Sequence, residues 1–409
     1  MRSKRHNNSS QQIKRKKKNK SLRKRILLGI LIVLLIAAVA VSVVAYKGYT
    51  YLDAKVSSMD KVDTNIEDFS IDDKVDKNLS DYINIALLGV DARLGEDKEH
   101  TRTDAIIVVS IHKKSHEITL TSVMRDSYLQ IQNNENEEML DKITHANVYG
   151  GPVNTCRALN KSLDLNISQF VVMDWKTVAD TVDAIGGITM DVKDNEIWDL
   201  NHWGPETAIN TGREAYTPIV KSGKQKIDGV QAATYCRIRK NSGGDPGRTQ
   251  RMRKVVYATI DKIKKNPKLV FDLAEDVFPS VMTNISTKQI LKLAPVALDF
   301  TMEDNYVYPF DYAGVKLGDT VKVWYAIPTT LEDNCKLLHK IVFKQEDYNP
   351  SKQCRDLSKI TVDETGWSLG TEMNSTGDKE LDKKMYNYIF ESGALNQQGE
   401  NYTSETPQQ

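Results

Sequence analysis

The longest apolar stretch of the chain lies near its N-terminus. Residues Ile26–Tyr46 carry no charged side chain, and as a helix they extend about 30 Å, the thickness of a bilayer core. Residues 1–25 are rich in Lys and Arg and contain no acid. Because basic flanks stay in the cytoplasm, the pattern predicts a transmembrane anchor with most of the chain outside. A cleaved signal peptide, with a cleavage-like site at Ala38-Val39-Ala40, is the alternative, but the apolar run continues past that site.

Downstream of this stretch, the pattern of polar and apolar positions changes twice. Residues 47–81 interleave Asp and Lys with few apolar side chains, which predicts an extracytoplasmic stalk. From about residue 82 to residue 350, short apolar runs alternate with helical stripes. This mixture predicts an α/β fold, an α-β-α sandwich with a central mixed sheet. Residues 351–409 become polar and rich in Gly, Ser, Thr and Asn, which predicts a partly disordered tail with one helix at Lys379–Phe390.

The central segment contains both kinds of apolar pattern, from which its elements can be predicted. The predicted strands are Ile83–Val90, Asp104–His112, Glu117–Met124, Phe170–Asp174, Ile188–Val192, Tyr306–Pro309 and Val321–Ala326. The predicted helices are Val153–Leu163, Lys176–Ile185, Val230–Cys236, Gly247–Asn266, Pro267–Val277, Lys288–Leu298 and Leu331–Phe343.

One predicted helix begins inside a dense run of arginines. Asp245 and Pro246 are typical of an N-cap and a first helical position, and an apolar stripe begins at Met252. At about 100° per residue, Arg248 lies roughly 40° from Met252 and should face the core. A buried cation at the positive end of a helix needs an anionic partner. The stretch is therefore either half of a phosphate site or a basic helix start in which Arg248 pairs with a local acid.

Two aspartates are predicted at one edge of the sheet. Asp91 ends one predicted strand, and Arg102-Thr103-Asp104 begins the next. If these strands form a hairpin, both carboxylates lie at the same end, an arrangement that suits Mg²⁺ together with phosphate oxygens. The alternative is an ordinary turn whose acid is neutralised by Arg102.

Further arginines can reach the same edge. Arg125 follows a third strand, and Arg237 and Arg239 would share a face in extended backbone. With Arg248 they can surround a diphosphate, because the planar guanidinium suits bidentate contacts to phosphate. Paired carboxylates with an arginine cluster are typical of phosphoryl transfer.

Composition excludes several other functions. The net charge of +1 over 409 residues gives no drive toward nucleic acid. The sequence has no phosphate-binding P-loop, no GxSxG and no HExxH motif. Its four cysteines lack zinc-type spacing, although a Cys335–Cys354 disulfide stays open for a domain outside the cell. For His145 a structural role is expected.

An ordered series of motifs resembles the LytR-CpsA-Psr family of Gram-positive bacteria. The similarity is clear from about Ile83 to Ile263 and weaker to about Pro350. The motifs read LLGVDAR, RTDAIIVVSI, TSVMRD, ITHANVYGG, VDAIGGITMDV, KIDGVQAATYCRIRK and DPGRTQRMR. Met252 stands where the family commonly has glutamine, which predicts a more apolar edge at this point.

The resemblance implies a membrane-anchored phosphotransferase with its catalytic domain, residues 82–350, outside the cell membrane. Such enzymes move a glycopolymer, of the teichoic acid or capsular polysaccharide type, from undecaprenyl diphosphate to peptidoglycan. The family's Mg²⁺ (or Mn²⁺) ligands fall on Asp91 and Asp104. Its diphosphate-binding residues fall on Arg102, Arg125, Arg237, Arg239 and Arg248, with Asp245 as the acid of the last motif. The resemblance implies catalytic roles for Asp91, Arg102, Asp104, Arg125 and Arg248.

Two other functions stay open from the sequence. A lipid-diphosphate hydrolase would use the same site with water as the acceptor. A non-catalytic, membrane-anchored regulator of envelope synthesis would bind the lipid precursor and signal through residues 1–25. Nucleic acid is not an expected partner, because the folded part would lie outside the cell.

Overall fold

The computed structural model describes residues 47–93, 95–318, 321–370, 372–374 and 383. The chain divides into two compact units, residues 1–55 and 56–409. In the first unit, the described residues 47–55 are helical. The predicted anchor Ile26–Tyr46, the basic segment and all but one residue of the predicted helix Lys379–Phe390 lie outside the described residues. None of the helices that are described has the length and apolar character needed to cross a membrane.

Strands and helices alternate through the second unit. The strands are β1 (Asp60–Lys61), β2 (Tyr82–Val90), β3 (Thr103–His112), β4 (Glu117–Val123), β5 (Tyr128–Gln132), β6 (Glu138–Lys142), β7 (Gln169–Met173), β8 (Ile188–Val192), β9 (Gly223–Ile227), β10 (Met282–Thr283), β11 (Thr301–Tyr308), β12 (Asp311–Leu317), β13 (Val323–Pro328) and β14 (Glu372–Met373). The helices are α1 (Asp73–Asn78), α2 (Ile143–Leu163), α3 (Trp175–Ala184), α4 (Asp194–Asn210), α5 (Gly229–Arg237), α6 (Gly244–Lys265), α7 (Leu269–Asp276), α8 (Thr287–Leu298), α9 (Leu331–Val342) and α10 (Lys352–Thr365).

The central sheet has seven strands in the order β1-β10-β7-β2-β3-β4-β11. Strand β2 runs parallel to β7 and antiparallel to β3, and β4 runs antiparallel to β3 and parallel to β11. The prediction of a mixed sheet is therefore confirmed. A second sheet has the order β13-β12-β14, and β5-β6 and β8-β9 form two-stranded sheets.

Both faces of the central sheet are covered by helices, as the continuous apolar runs of its strands require. Alternation along β3 shows this directly, because successive side chains point to opposite faces. Ile106 and Val108 pack in one cluster with residues of α2, α9 and α10. Ile107 and Val109 pack in another, against residues of α6 and α8. A separate apolar cluster joins α3, α4, α5 and α6 to β8 and β9.

The structure differs from the predicted boundaries at both ends of the domain. Within the predicted stalk 47–81, Phe69, Val75 and Leu79 are buried in the main core, and β1 pairs with β10. Within the predicted tail 351–409, α10 buries Cys354 and Leu357 in that core. Both segments are polar on average, but their widely spaced apolar residues supply one buried face each.

The structure also differs from the sequence-based interpretation in local details. Helix α4 was not predicted. The segment α2 consists of two helices that meet at a kink, where Gly150 and Gly151 have non-helical backbone. The predicted start at Val153 agrees with the second of these helices, whereas the first, from Ile143, was not predicted. Gly151 has a φ of +63°, a conformation that glycine adopts without strain. Helix α6 begins at Gly244 with Gly243 as N-cap, so Asp245 lies inside the first turn. The four cysteines are free buried thiols, Cys335 and Cys354 included.

Candidate functional site

Asp104 lies at the centre of the candidate site because of an irregularity between β2 and β3. Gly89 pairs with Ala105 and Val90 pairs with Thr103, so Asp104 is left without a partner as a bulge. Gly89 is required there, because a Cβ at this position would lie 2.9 Å from the Cβ of Ala105. The hairpin also places Asp91, the residue after Val90, at the same end of the sheet, as predicted.

Three arginines donate hydrogen bonds to the Asp104 carboxylate. Arg125 Nη1 lies 2.9 Å from Oδ1, and Arg248 Nη1 lies 3.0 Å from Oδ2. Arg239 Nη2 lies 3.3 Å from the same Oδ2. The side chain of Arg248 is only 3% exposed, whereas that of Arg239 is 42% exposed. Arg248 therefore faces inward, as the helical periodicity predicted, and an acid 144 residues away pairs with it.

The segment that carries Arg239 and Arg248 is held in place by residues that the sequence analysis did not assign to the site. Arg251 is buried, and its guanidinium donates to the backbone carbonyls of Tyr235 (3.0 Å), Ile238 and Ser242 (2.6 Å). Asp199 of α4 accepts from the backbone N–H of Asn241 at 2.9 Å. Burial lowers the pKa of Arg251. Its position one turn beyond Arg248 was a usable signal, but its partners are backbone atoms that no motif predicts.

Asp91 has different surroundings. Asp91 is exposed, and its Oδ1 accepts a hydrogen bond from Trp175 Nε1 at 2.6 Å. Arg237 lies over the ring of Trp175, with Cζ 5.7 Å from the ring centroid. The same guanidinium donates to Thr207 Oγ1 at 2.8 Å and Glu206 Oε1 at 3.1 Å. Arg237 ends helix α5, so it does not share an extended face with Arg239, and it contacts a different side of the site.

The loop between Asp91 and Asp104 is fixed by two polar side chains that the sequence did not single out. Asn147 Nδ2 donates to the carbonyls of Lys98 at 3.0 Å and Thr101 at 2.6 Å. Lys98 Nζ lies 3.1 Å from Asp174 Oδ2. Asn147 belongs to the ITHANVYGG motif, which was the available signal. Of the other predicted residues, Arg102 is exposed and the side chain of Asp245 lies outside the described residues.

His145 has the structural contact expected of it. Its Nδ1 lies 2.7 Å from Oδ2 of Asp141, four residues earlier in β6. This pair lies on the strand-to-helix connection and not at the arginine cluster.

Two cavities lie at the site and share part of their lining. The first, about 290 Å³, is lined by the charged residues Asp104, Arg125, Asp126 and Arg248, by Ala105, Ile106, Ile107, Ser122, Val123, Met124, Thr249, Met252 and Val307, and by Tyr312, Trp324 and Asn374. The second, about 210 Å³, is lined almost wholly by apolar side chains of β2, β3, α3, α5 and α6. Ala105, Ile107 and Met252 line both cavities.

The few polar atoms that line the second cavity carry no charge. Cys236 is one of its lining residues, and burial raises the pKa of that thiol to about 12, so the thiol stays neutral. Val182 of α3 and Val255 and Ile260 of α6 line the cavity from two helices. A ligand that spans both cavities therefore needs an anionic part beside Arg125 and Arg248 and a hydrocarbon part beside these residues.

Known proteins resemble this chain over most of the described domain. The uncharacterized protein of Staphylococcus aureus is 28% identical over 261 residues, which cover 62% of this chain and 60% of that protein. TagT of Bacillus subtilis, named polyisoprenyl-teichoic acid–peptidoglycan teichoic acid transferase, is 28% identical over 242 residues, 58% of this chain and 71% of TagT. The crystal structure of protein gbs0355 from Streptococcus agalactiae has a TM-score of 0.55 at 25% identity, covering 69% of this chain and 92% of that one.

The chain also matches the model of a protein family. The model of the LytR_cpsA_psr family matches residues 46–326, more than half of the chain. This range contains Asp91, Asp104 and all the arginines of the candidate site. It also contains the three residues that line both cavities. The chain therefore belongs to the LytR-CpsA-Psr family.

Proposed function

We propose that this chain is a phosphotransferase that moves a glycopolymer from a polyprenyl diphosphate, such as undecaprenyl diphosphate, to peptidoglycan. The observation that carries the proposal is that a charged cavity and an apolar cavity lie side by side and share three lining residues, Ala105, Ile107 and Met252. A polyprenyl diphosphate has a hydrocarbon chain joined directly to an anionic diphosphate, and few other metabolites combine the two. The name of the related TagT protein describes the same reaction class.

The charges of the site suit a diphosphate. Arg125, Arg239 and Arg248 all contact the carboxylate of Asp104, and Arg125 Nε also lies 3.4 Å from Asp126 Oδ2, so three guanidiniums are gathered at one point of the charged cavity. Guanidinium groups held in place by buried contacts stabilise charge that develops on phosphate oxygens. In the proposed transfer, an acceptor hydroxyl attacks the sugar-linked phosphorus, a new P–O bond forms, and the bond to the bridging oxygen breaks. Polyprenyl phosphate leaves with that oxygen and its electron pair, and the hydroxyl proton passes to a base at the site or to solvent.

The donor atoms at the sheet end fit a hard divalent cation, Mg²⁺ or Mn²⁺. Asp91 is exposed and offers a carboxylate whose Oδ1 takes one hydrogen bond, from Trp175. Carboxylates from one or two residues, completed by water and phosphate oxygens, are the usual donors for Mg²⁺. Asp91 and Asp104 would hold the ion, which would supply further charge neutralisation at the diphosphate. Because the arginines outnumber these acids, the cation and the anionic substrate should bind together.

The proposed location is the outer face of the cell membrane. It is supported by the basic segment 1–25 followed by the uncharged stretch Ile26–Tyr46. The chain would be a single-pass membrane protein, and its lipid-linked substrate and its wall acceptor would both be available on that side.

The first prediction tests Arg248, the most deeply buried cation of the site. Arg248→Ala should lower transfer of a polyprenyl-diphosphate-linked polymer to peptidoglycan at least about 100-fold, because a preorganised charge contact to the transition state is lost. Phosphodiester-linked polymer on peptidoglycan is the product to quantify. Lys254→Ala, which removes an exposed cation from the same helix, is the matched control and should keep full transfer. Full activity of Arg248→Ala would contradict the proposed site, and release of free polymer phosphate by the wild-type chain would identify a hydrolase.

A further inference from the structure

The second sheet has an unusual distribution of side chains. One face of β12 and β13, formed by Ala313, Val315 and Ile327, packs on Tyr128 of β5. A sheet with only one buried face normally carries polar side chains on the other. The opposite face carries one exposed lysine, Lys316, which pairs with Trp324, but next to it lie Tyr312, Gly314, Trp324 and Ala326, of which Gly314 pairs directly with Ala326.

These residues form an aromatic wall of the charged cavity. Tyr312 and Trp324 both line the cavity that contains Arg125, Arg248 and Asp104. Their ring centroids lie 6.4 Å apart, with the ring planes at 84°. Gly314 and Ala326 lie in the middle of this face. Because glycine has no side chain and alanine has only a methyl group, they leave space for the two aromatic rings. We call Tyr312 and Trp324 the aromatic wall.

The aromatic wall is fixed relative to the arginine cluster. The backbone N–H of Ala326 donates to the carbonyl of Asp126 at 3.0 Å, and Ser127 forms a parallel bridge with Ala326. Asp126 directly follows Arg125, which contacts Asp104. Trp324 is two residues from this attachment, so the wall and the cluster cannot separate without breaking backbone hydrogen bonds.

We propose that the aromatic wall binds the pyranose ring of the saccharide that adjoins the reacting phosphate. The inference rests on the proposed function, which places a diphosphate at Arg125 and Arg248. The C–H groups of a pyranose face are weakly positive and pack on the electron-rich face of an aromatic ring. The cavity of about 290 Å³ is small for a ligand pocket and has room for one ring beside the phosphate, not for a polymer. This ring is the first sugar of the donor or the sugar that carries the acceptor hydroxyl.

Trp324 is the better residue to test, because it is only partly buried whereas Tyr312 is 6% exposed. The full-length chain would be titrated by calorimetry with three probes. These are geranylgeranyl diphosphate, the same lipid diphosphate carrying N-acetylglucosamine, and the disaccharide pentapeptide fragment of peptidoglycan. Trp324→Ala is compared with Trp324→Phe, which keeps an aromatic face, and with Val323→Ala, an exposed neighbour on the other face of the strand.

We expect Trp324→Ala to weaken binding of one sugar-bearing probe about 3- to 10-fold, the range for loss of an aromatic contact. Binding of geranylgeranyl diphosphate should stay within about twofold of wild type, and Trp324→Phe should recover most of the lost affinity. Loss for the N-acetylglucosamine probe assigns the wall to the donor, and loss for the peptidoglycan fragment assigns it to the acceptor. Unchanged binding of both sugar probes, or equal weakening of all three, overturns the subsite alone. Failure of the wild-type chain to bind geranylgeranyl diphosphate overturns the proposed function and the subsite with it.

Discussion

Asp91 and Asp104 lie at the same end of two paired strands, yet they form two different electrostatic centres. Asp104 accepts hydrogen bonds from Arg125, Arg239 and Arg248, and its side chain is 9% exposed. Asp91 is exposed and accepts from the neutral indole of Trp175. The bulge at Asp104 accounts for part of the difference, because it re-aims one side chain without moving the other.

The comparison separates two uses of a carboxylate. Asp104 keeps three guanidiniums together despite their mutual repulsion, one of them deeply buried, and such a buried contact is expensive to break. Asp91 contributes little to that network, so it remains available for a cation or a substrate. The same residue type at the same sheet edge should therefore have a large effect on stability in one case and on the reaction in the other.

The largest effect on folding should follow removal of Asp104. Asp104→Ala removes the contact between the Asp104 carboxylate and Arg248, which is 3% exposed, and should lower the free energy of unfolding by roughly 2–5 kcal/mol. Denaturant unfolding of the purified full-length chain measures this change. Arg239→Ala is the control, because its pair with Asp104 is 42% exposed on the arginine side and should be worth about 1 kcal/mol or less. Equal stability of Asp104→Ala and wild type would refute the distinction between the two centres.

This distinction was only partly visible in the sequence. Strand periodicity predicted that Asp91 ends one strand and that Asp104 begins the next, and helical periodicity predicted that Arg248 faces inward. Both predictions depend only on the periodicity of a strand or a helix, which a single chain segment determines by itself.

The contacts of Arg237 were not predictable in the same way. They come from Thr207 and Glu206, 30 and 31 residues earlier, on a helix whose interior contains Gly204 and Pro205. That composition is unfavourable for a helix, and tertiary packing overrides it. The bulge at Asp104 likewise depends on how two strands pair and leaves no signal in either strand alone.

The second effect, on the reaction, should come from Asp91. Asp91→Ala removes one hydrogen bond to an exposed residue and should change the free energy of unfolding by about 1 kcal/mol or less. Transfer should nevertheless fall about 100-fold, and its dependence on Mg²⁺ concentration should shift or disappear. Unfolding curves test the predicted stability, and transfer assays over a Mg²⁺ series test the predicted loss of transfer.

Asp97 gives a matched control for this change. It is a carboxylate in the same loop, its side chain is 60% exposed, and its partner is His100. Asp97→Ala should keep both stability and Mg²⁺ dependence. If Asp91→Ala lost as much stability as Asp104→Ala, or kept wild-type transfer, the proposed separation of roles between the two aspartates would have to be abandoned.

A third aspartate shows what burial does without arginines. Asp311, at the start of β12, is 3% exposed, and burial raises the pKa of its carboxyl to about 7 from an ordinary value of 3.8. Thr329 Oγ1 donates to Oδ2 at 3.1 Å and opposes the shift, while the nearby Asp333 increases it. Below pH 4 the carboxyl is protonated in both the folded and the unfolded chain. As the pH rises from 4 to 7, the folded state retains a proton that the unfolded state has released, so folding stability falls across this window.

The smallest of the three effects should therefore appear with Asp311→Asn, and only at higher pH. The amide is neutral at every pH, so the variant avoids the cost of a buried charge and should be about 1–3 kcal/mol more stable than wild type at pH 8. At pH 4 the two chains should be nearly equal. Unfolding free energies at both pH values measure the difference, and its growth with pH is what distinguishes ionisation from a packing change. A stability difference that is the same at pH 4 and pH 8 would mean that burial alone does not keep the Asp311 carboxyl protonated. The arginines around Asp104 would then no longer explain why Asp104 differs from Asp311.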